Sequence, residues 1–581
     1  MQIGLDGAAR SALPVASIRH YFGRWTGKKE RQRTEGNRRH SAGKSSQRQH
    51  PDFYDSFFFW SPLFLIFGLE KVMKRFFTIA LCCVAVSALV SCRKVSPDQT
   101  SGSRSYQNLF AYTYMNQVYV WTDDIRAQLD SWKSSFQSDA SKVDPIETVD
   151  RIKYKYDRWT FVTDEISKFQ NSVAGIETTF GFRIRFYLGL EGSVAAMILC
   201  TYKDSPAESA GLKRGDYIVA VNGVYLTRDN YKSMYYDCFE GGVSCSFSVC
   251  DHLTGEVRNI SMTPVEMYEE PVMLSKVFDV AGKKVGYLLY DGFTQKSVSD
   301  LKIAAKQFAN AGVTELILDM RYNGGGYVPT ELALATILAP KSVIGKADGS
   351  GGAVYQRLVF NSRYDDIYSE EDKVYRFSQL LRDSSGECYN VSGCNLDLKK
   401  IYAILTPSSA SASEAILVGL MPYMDVEIIG EPKNDGTQGC SSGKFCQGLL
   451  CDAESFLEAN RTIFGSEYDA AHKALDDWGI YVMNARYTDC NGDCPIMPDG
   501  FIPDVKSEDD PFDGAALGDP GETMLAAALR LASGAPATRS SKNCTEPENP
   551  SSFVPADFQP SRPSVLVSSR GQTLSSRGLT P

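Results

Sequence analysis

The sequence predicts a multidomain α/β protein in which a helical module, a β-rich domain and a larger α/β domain follow one another. Three patterns predict this order. Apolar residues first recur at helical spacing, then alternate along short segments, and finally form unbroken runs separated by helical segments. With 581 residues, of which 43% are apolar, the chain is long enough to form two or three buried cores.

Charge is unevenly distributed along the chain. Residues 1–72 are basic and the remainder is strongly acidic, which gives a formal net charge of −9. Because nucleic acid attracts basic surfaces, an acidic body argues against nucleic acid as a partner. Residues 1–72 also precede a complete signal sequence, so they are interpreted as an over-extended or disordered leader. A membrane-associating leader is the alternative.

Residues 73–92 are predicted to be a lipoprotein signal peptide. A short basic start is followed by an apolar segment that is too short to span a membrane as a mature helix. The segment ends in Leu-Val-Ser-Cys, which resembles the bacterial lipobox and implies lipidation of Cys92. We therefore expect a lipid-anchored protein of the cell envelope, in the periplasm or at the cell surface. A plain cleaved signal is the alternative.

Twelve cysteines follow Cys92. Several form close pairs in polar segments, and export makes disulfides an expectation for them. A zinc site is the alternative, but no histidine lies at ligand spacing, so no metal site is predicted.

Residues 106–171, which follow a polar tether over 93–105, are predicted to be a helical module. Its first part has an apolar stripe at helical spacing. The residues of this stripe are Leu109, Phe110, Tyr114, Val118 and Trp121.

Residues 172–265 are predicted to be a β-rich domain. Short alternating segments come first, and residues 205–223 then predict a helix, a turn, a strand and an Asn-Gly turn. The order Ser-Pro-Ala, Ala-Gly-Leu, Gly-Asp and Val-Asn-Gly in this run resembles a PDZ domain, which binds an extended peptide tail by strand addition. The resemblance implies that Phe180, Gly181 and Phe182 bind the carboxylate of a peptide. A PDZ fold that only positions its neighbours is the alternative.

Residues 266–533 are predicted to be an α/β domain. A strand at 284–290, a helix at 298–311 and a strand at 315–319 imply parallel pairing through a right-handed crossover. A glycine-rich turn over 319–326 then leads into a helix. Such a turn presents backbone N–H groups at the carboxyl edge of a sheet.

A second turn of this kind lies at 401–414. Apolar residues up to Leu405 predict a strand, Pro407 ends it, and a helix begins at Ala412. Ser411 is the hydroxyl at the start of this helix, where free N–H groups and the helix dipole would stabilise an oxyanion. From these residues alone, a serine that only caps the helix is the alternative to a nucleophile.

Together, these motifs resemble those of the C-terminal processing (tail-specific) serine peptidases over residues 106–533. The family's Asp-Leu-Arg-x-Asn-x-Gly-Gly motif corresponds to residues 319–326, with Met320 in the leucine position, and its Ser-Ala-Ser-Glu motif to residues 411–414. The resemblance implies a ClpP/crotonase-like catalytic domain without cofactor or metal. It also implies a nucleophile, two oxyanion-hole amides and a carboxylate that orients the base, namely Ser411, Gly325, Ala412 and Glu414.

The catalytic base departs from the family pattern. A Gly-Glu-x-x-x-Gly-Lys run normally supplies a lysine, but the same register places Gly436 at that position. Lys433, three residues earlier, is the predicted base, and Lys444 in a cysteine-rich loop is the alternative. A lysine must be neutral to act as a base, so burial must lower its pKa.

The sequence therefore predicts an exported, lipid-anchored serine endopeptidase that forms an acyl-enzyme on Ser411. Its expected substrates are polypeptides with a free C-terminus. A non-catalytic peptide-binding lipoprotein and acyl transfer on a related sheet are the alternatives. Residues 534–581, called the tail below, are rich in Ser, Pro and Arg and are predicted to be disordered.

Overall fold

The leader, the signal peptide with Cys92 and part of the tether lie outside the residues that the structure describes. No helix in the described part of the chain is long and apolar enough to cross a membrane. The computed structural model describes residues 99–189, 192–382, 386–433, 435–496, 498–535, 554–556, 558–560 and 565–567.

The helical module contains four helices and one short strand. Helix α3 begins at Pro145. The Asp144 carboxylate accepts the free N–H groups of Ile146 and Glu147, and the proline has no N–H group that would need an acceptor. Four residues of the predicted apolar stripe are buried, and Leu109 is partly buried. The elements are α1 (Gln99–Gln117), α2 (Arg126–Asp139), α3 (Pro145–Ile152), β1 (Phe161–Thr163) and α4 (Ile166–Val173).

The PDZ-like domain is an antiparallel sheet in which β3, β4, β5, β7 and β8 are neighbours in that order, with β6 beside β5 and a separate β2–β9 pair. Residues 180–186 alternate in the sequence as a strand would, but β3 begins only at Phe182, because Gly181 has a φ of +81° that a strand does not accept. The elements are β2 (Ile176–Thr179), β3 (Phe182–Leu188), β4 (Val194–Thr201), α5 (Pro206–Ser209), β5 (Tyr217–Val221), β6 (Val224–Tyr225), α6 (Tyr231–Met234) with a π-turn at Tyr235–Phe239, β7 (Cys245–Cys250), β8 (Val257–Met262) and β9 (Val265–Tyr268).

The α/β domain follows as the longest run of elements. Its elements are β10 (Val272–Val280), β11 (Lys283–Tyr290), α7 (Ser297–Ala311), β12 (Glu315–Asp319), β13 (Gly325–Tyr327), α8 (Val328–Leu338), β14 (Val354–Val359), α9 (Ser362–Ile367), β15 (Val374–Arg376), β16 (Leu380–Arg382), β17 (Cys388–Asn390), β18 (Lys400–Leu405), α10 (Ala412–Leu420), β19 (Asp425–Gly430), β20 (Cys446–Asp452), α11 (Ala453–Ala459), α12 (Arg461–Phe464), α13 (Tyr468–Ala474), β21 (Gly479–Thr488), β22 (Val505–Lys506) and α14 (Thr523–Ala532).

The central sheet of this domain has the order β10-β11-β12-β18-β19-β22. Strands β11, β12, β18, β19 and β22 are parallel, and only β10 is antiparallel to its neighbour. The α/β fold class and the predicted parallel crossover are confirmed. Both predicted turns follow strands of this sheet, β12 and β18, so they lie side by side at its carboxyl edge.

Ion pairs between partly buried arginines and carboxylates join the PDZ-like domain to the α/β domain, and three of them are 3.1 Å or shorter. Each arginine comes from the PDZ-like domain, and each carboxylate lies at the edge of the α/β domain. Replacing Arg183 would leave the buried Asp291 carboxylate without its cationic partner, which typically costs about 3–5 kcal/mol. The nitrogen–oxygen distances are 2.6 Å for Arg183–Asp291, 3.1 Å for Arg185–Glu431 and 2.7 Å for Arg214–Asp509.

Two expectations differ from the structure. The tail was expected to be disordered, but it contains strands β23 (Val554–Pro555) and β24 (Val565–Val567), which pair with β3 and β13. Backbone pairing explains this difference, because it needs no apolar run in the sequence. The eleven described cysteines are free thiols, so the expected disulfides are absent among them.

Candidate active site

Ser411 occupies a strained turn at the start of α10. Its φ of +64° and ψ of −113° are unusual for a residue with a side chain. Such strain costs about 1–3 kcal/mol and persists only where the surroundings fix it, often at active sites. The residue is fully buried, and its Oγ makes no hydrogen bond to any described residue.

The glycine-rich turn holds this serine turn in place. The carbonyl oxygen of Asn323 accepts hydrogen bonds from Ala410 N at 3.1 Å and from Ser413 Oγ at 2.8 Å. The Asn323 side chain in turn donates from Nδ2 to the Tyr290 carbonyl at 2.9 Å. The structure thus brings together the two edges that the sequence motifs predicted.

The two predicted oxyanion donors differ in whether their N–H groups already have an acceptor. Ala412 is the first residue of α10, so its N–H has no acceptor within the helix. The Gly325 N–H, however, donates to Asn323 Oδ1 at 2.9 Å. Gly325 is therefore not a free donor in this structure, and it could bind an oxyanion only after the asparagine side chain moves.

Glu414 connects the serine turn to residues 441–444. Its two oxygens accept four hydrogen bonds, from Ser411 N (2.9 Å), Ser441 Oγ (2.5 Å), Gly443 N (2.7 Å) and Lys444 N (3.0 Å). Burial raises the pKa of Glu414, while these hydrogen bonds oppose the rise. Glu414 was expected to orient the base. It does hold Lys444, but through the backbone N–H.

Lys444 lies in an environment that suits a lysine base. It is fully buried, its Nζ donates to Tyr481 Oη at 3.1 Å, and the Trp159 ring centroid is 5.6 Å away. Burial lowers the pKa of Lys444 to about 8. About a tenth of these side chains would then be neutral at pH 7, against fewer than one in a thousand for an ordinary lysine.

Lys433, the predicted base, has a different environment. Its Nζ donates to the carbonyl oxygens of Ser442 at 3.3 Å and Asp499 at 2.9 Å. Two causes lower the pKa of Lys433: partial burial is the larger, and the charge of Arg158 is the smaller. The Lys433 ammonium therefore binds backbone carbonyl oxygens of a loop. The fully buried lysine is Lys444, which was the alternative.

Several residues around the site were missed from the sequence. Ser441 and Gly443 bind Glu414, and Trp159 and Tyr481 surround the Lys444 ammonium. None of them belongs to a recognised motif. They come from a loop, from the helical module and from β21, and only the packed chain brings them together.

The loop predicted to bind a peptide carboxylate, Phe180 to Phe182, borders a cavity that reaches the two turns of the site. Phe180 is buried and stacks on Phe182 at 5.9 Å, and the Gly181 N–H donates to Thr179 Oγ1 at 3.0 Å. A cavity of about 680 Å³ runs from this loop to Gly324 and Ser408 beside the serine turn. The PDZ-like loop and the two turns beside Ser411 therefore border one space.

One cluster of possible metal ligands lies in the described part of the PDZ-like domain. It consists of Asp216, Asp251 and His252. Arg258 pairs with Asp216 at 3.0 Å and Lys213 pairs with Asp251 at 2.7 Å. Because cationic side chains already neutralise both carboxylates, ion pairing explains the cluster.

Family models match two parts of the chain. Residues 284–507 match peptidase family S41, and residues 197–233 match a PDZ domain. The first segment contains both strand-turn-helix motifs, with Ser411 and Lys444.

Relatives and solved structures agree with these matches. The chloroplast C-terminal processing peptidase of Tetradesmus obliquus is 26% identical over 190 residues, which cover 30% of this chain and 40% of that protein. The carboxyl-terminal-processing protease of Picosynechococcus sp. is 28% identical over 333 residues, 56% of this chain and 64% of that protein. The matches thus span less than two thirds of either relative.

The structure of a putative S41 protease from Bacteroides fragilis superposes with a TM-score of 0.52 at 21% identity. The superposition covers 76% of this chain and 99% of that protein. At this identity the similarity shows the fold.

Proposed function

We propose that this chain, which belongs to the carboxyl-terminal processing proteases of serine peptidase family S41, hydrolyses peptide bonds with Ser411 as nucleophile and Lys444 as base. One observation carries the proposal. Glu414 binds the backbone N–H groups of both residues, and Lys444 is fully buried with a pKa of about 8.

The reaction follows from these positions. Neutral Lys444 takes the proton of Ser411 after its Nζ leaves the Tyr481 hydroxyl, and the serine oxygen attacks the peptide carbonyl. The Ala412 N–H stabilises the oxyanion, joined by the Gly325 N–H once Asn323 Oδ1 releases it. The leaving amine takes the proton from Lys444. Water, activated by the same lysine, then hydrolyses the acyl-enzyme.

The substrates we propose are unfolded polypeptides with a free C-terminus. The names of the relatives, which describe processing of carboxyl termini, support this substrate class, and so does the cavity shared by the PDZ-like loop and the serine turn. We place the enzyme in the cell envelope, anchored through lipidated Cys92. The Leu-Val-Ser-Cys sequence supports this location.

Matched lysine variants test the mechanism. Ser411→Ala and Lys444→Met should each lower kcat/KM on an unfolded polypeptide by about a thousandfold or more, as loss of a nucleophile or base does. Lys433→Met, the matched control, should stay within about tenfold of wild type because its Nζ only binds carbonyl oxygens. Labelling of Ser411 by a fluorophosphonate reports the nucleophile independently of substrate choice.

Three results would contradict the proposal. Loss of turnover in Lys433→Met with activity retained in Lys444→Met would return the base to Lys433. A wild-type protein that neither labels nor hydrolyses would favour the peptide-binding lipoprotein. Faster turnover of a thioester than of any peptide would favour acyl transfer.

A further inference from the structure

The binding edge of the PDZ-like domain is occupied by the chain's own tail. Strand β23 lies antiparallel to β3, with Val554 opposite Leu188. The Ala556 N–H then donates to the Phe186 carbonyl at 2.9 Å. PDZ domains add a peptide strand at an exposed sheet edge in this manner.

Gln559 extends the pairing with its side chain. Its Oε1 accepts the Phe186 N–H at 2.8 Å, and its Nε2 donates to the Phe186 carbonyl at 2.7 Å. Both backbone polar groups of Phe186 are therefore satisfied by the tail. A ligand from outside would have to replace these hydrogen bonds.

Phe558 is the apolar anchor of this segment. Its ring lies 5.5–6.2 Å from four aromatic rings of the PDZ-like domain, and Lys232 Nζ is 5.9 Å from it. Rings at these separations interact favourably beyond the area that they bury. The four residues are Phe186, Tyr231, Tyr235 and Tyr236.

Downstream, the tail reaches the active-site edge. Strand β24 pairs in parallel with β13, where Gly325 lies opposite Val565, and Val567 also pairs with Gly448 of β20. Strand β24 thus lies between β13, which carries the predicted oxyanion donor Gly325, and β20, which begins two residues after Lys444. A substrate backbone approaching Ser411 would compete for the same strand edges.

We propose that the tail is an intramolecular inhibitor, with Phe558 anchored in the PDZ-like groove and β24 covering the active-site edge. The inhibitory effect rests on the proposed function, whereas the docking does not. The groove holds an internal segment, so it accepts an extended polypeptide with an aromatic side chain as well as the free C-termini of the proposed substrates. A tethered tail competes at an effective concentration in the millimolar range, so a free substrate must displace it.

The first test measures docking without catalysis. A fluorescent peptide with the sequence of residues 551–569 is titrated into full-length Ser411→Ala protein and into the same protein with Phe558→Glu. The second protein should bind the peptide at least about tenfold more tightly, because its own tail no longer competes. Tyr225→Glu, which charges an aromatic residue that is 71% exposed on β6, is the matched control and should bind like the parent. Equal affinities for all three proteins would overturn the docking.

The second test measures inhibition with Ser411 present. Phe558→Glu should raise kcat/KM on an unfolded polypeptide by about tenfold, and cutting the full chain at a protease site inserted between residues 540 and 550 should do the same. Unchanged turnover in both, with tighter peptide binding, would overturn inhibition and leave the docking supported. No turnover in any form would instead overturn the proposed function, and the peptide titration would still decide the docking.

Discussion

At the scale of single residues, the site depends on one side chain and one backbone carbonyl that hold a strained turn. Ser411 keeps a positive φ because Glu414 accepts its N–H and because Asn323 accepts hydrogen bonds from both sides of it. Both holders are fully buried, where hydrogen bonds are strong and unpaired groups are costly. These hydrogen bonds therefore fix the backbone that carries the serine hydroxyl.

The pH dependence of activity tests the base. Because Lys444 must be neutral, kcat/KM should rise as the pH increases through about 8 and level off above it. Tyr481→Phe should move this midpoint to lower pH, because the lost hydroxyl accepts a hydrogen bond from the protonated amine. The measurement is a profile from pH 6 to 10 for both proteins. A flat profile, or the same midpoint in both, would contradict the assignment.

At the scale of elements, the helices behind the two turns are joined by buried polar groups. Helix α8 follows β13, and its Glu331 accepts hydrogen bonds from Tyr355 Oη at 2.7 Å and Gln356 Nε2 at 3.2 Å. Gln356 also donates to the Ala415 carbonyl in α10 at 2.7 Å. Burial raises the pKa of Glu331 to about 8, so the folded protein keeps this carboxyl protonated at pH 7.

Glu331 should make stability fall as the pH rises. Between about pH 4.5 and 8 the unfolded carboxyl is ionised while the folded one retains its proton, so the unfolded state binds fewer protons and the free energy of unfolding decreases. Glu331→Gln removes this penalty while keeping an acceptor for Tyr355. It should raise the free energy of unfolding by roughly 3 kcal/mol at pH 7 and by little below pH 4.5.

Denaturant unfolding at pH 4 and pH 7 measures this difference, with Glu454→Gln, at an exposed position of α11, as the control. An equal effect of Glu331→Gln at both pH values would show that the carboxyl is ionised in the folded state.

At the scale of the whole molecule, the described parts of the three domains and of the tail meet around one site. The helical module supplies Trp159 beside Lys444, and partly buried arginines of the PDZ-like domain form ion pairs with the α/β domain. The tail then spans from the PDZ-like groove to β13. Changes in one part should therefore affect access to Ser411 in another.

The proposed attachment to the envelope is also tested on the whole molecule. If Cys92 carries the proposed lipid anchor, Cys92→Ala should move the protein from the membrane fraction to the soluble fraction, because the variant has no thiol to lipidate. Cys83→Ala, in the same signal segment, is the control and should remain with membranes. Membrane retention of Cys92→Ala would show that another segment anchors the chain.

Much of the fold could be predicted because its signals are local. The apolar run of β12 and the small-residue start of α10 have the bounds that the sequence indicated. The register after Gly430 places Gly436 at the lysine position, so the sequence offered only the nearby Lys433 and the more distant Lys444, and burial, which depends on packing, distinguishes them. The tail gave no strand signal, because β23 and β24 are too short to show a periodic pattern.

The sequence by itself determined the order of the domains, the two strand-turn-helix motifs and the serine at the second of them, since each depends on neighbouring residues. The tertiary structure alone decided which lysine is enclosed, what Glu414 binds and where the tail lies. Burial, desolvation and strand pairing depend on residues that are far apart in the chain. The pKa of Lys444 and the occupancy of the PDZ-like groove exist only once those residues are packed together.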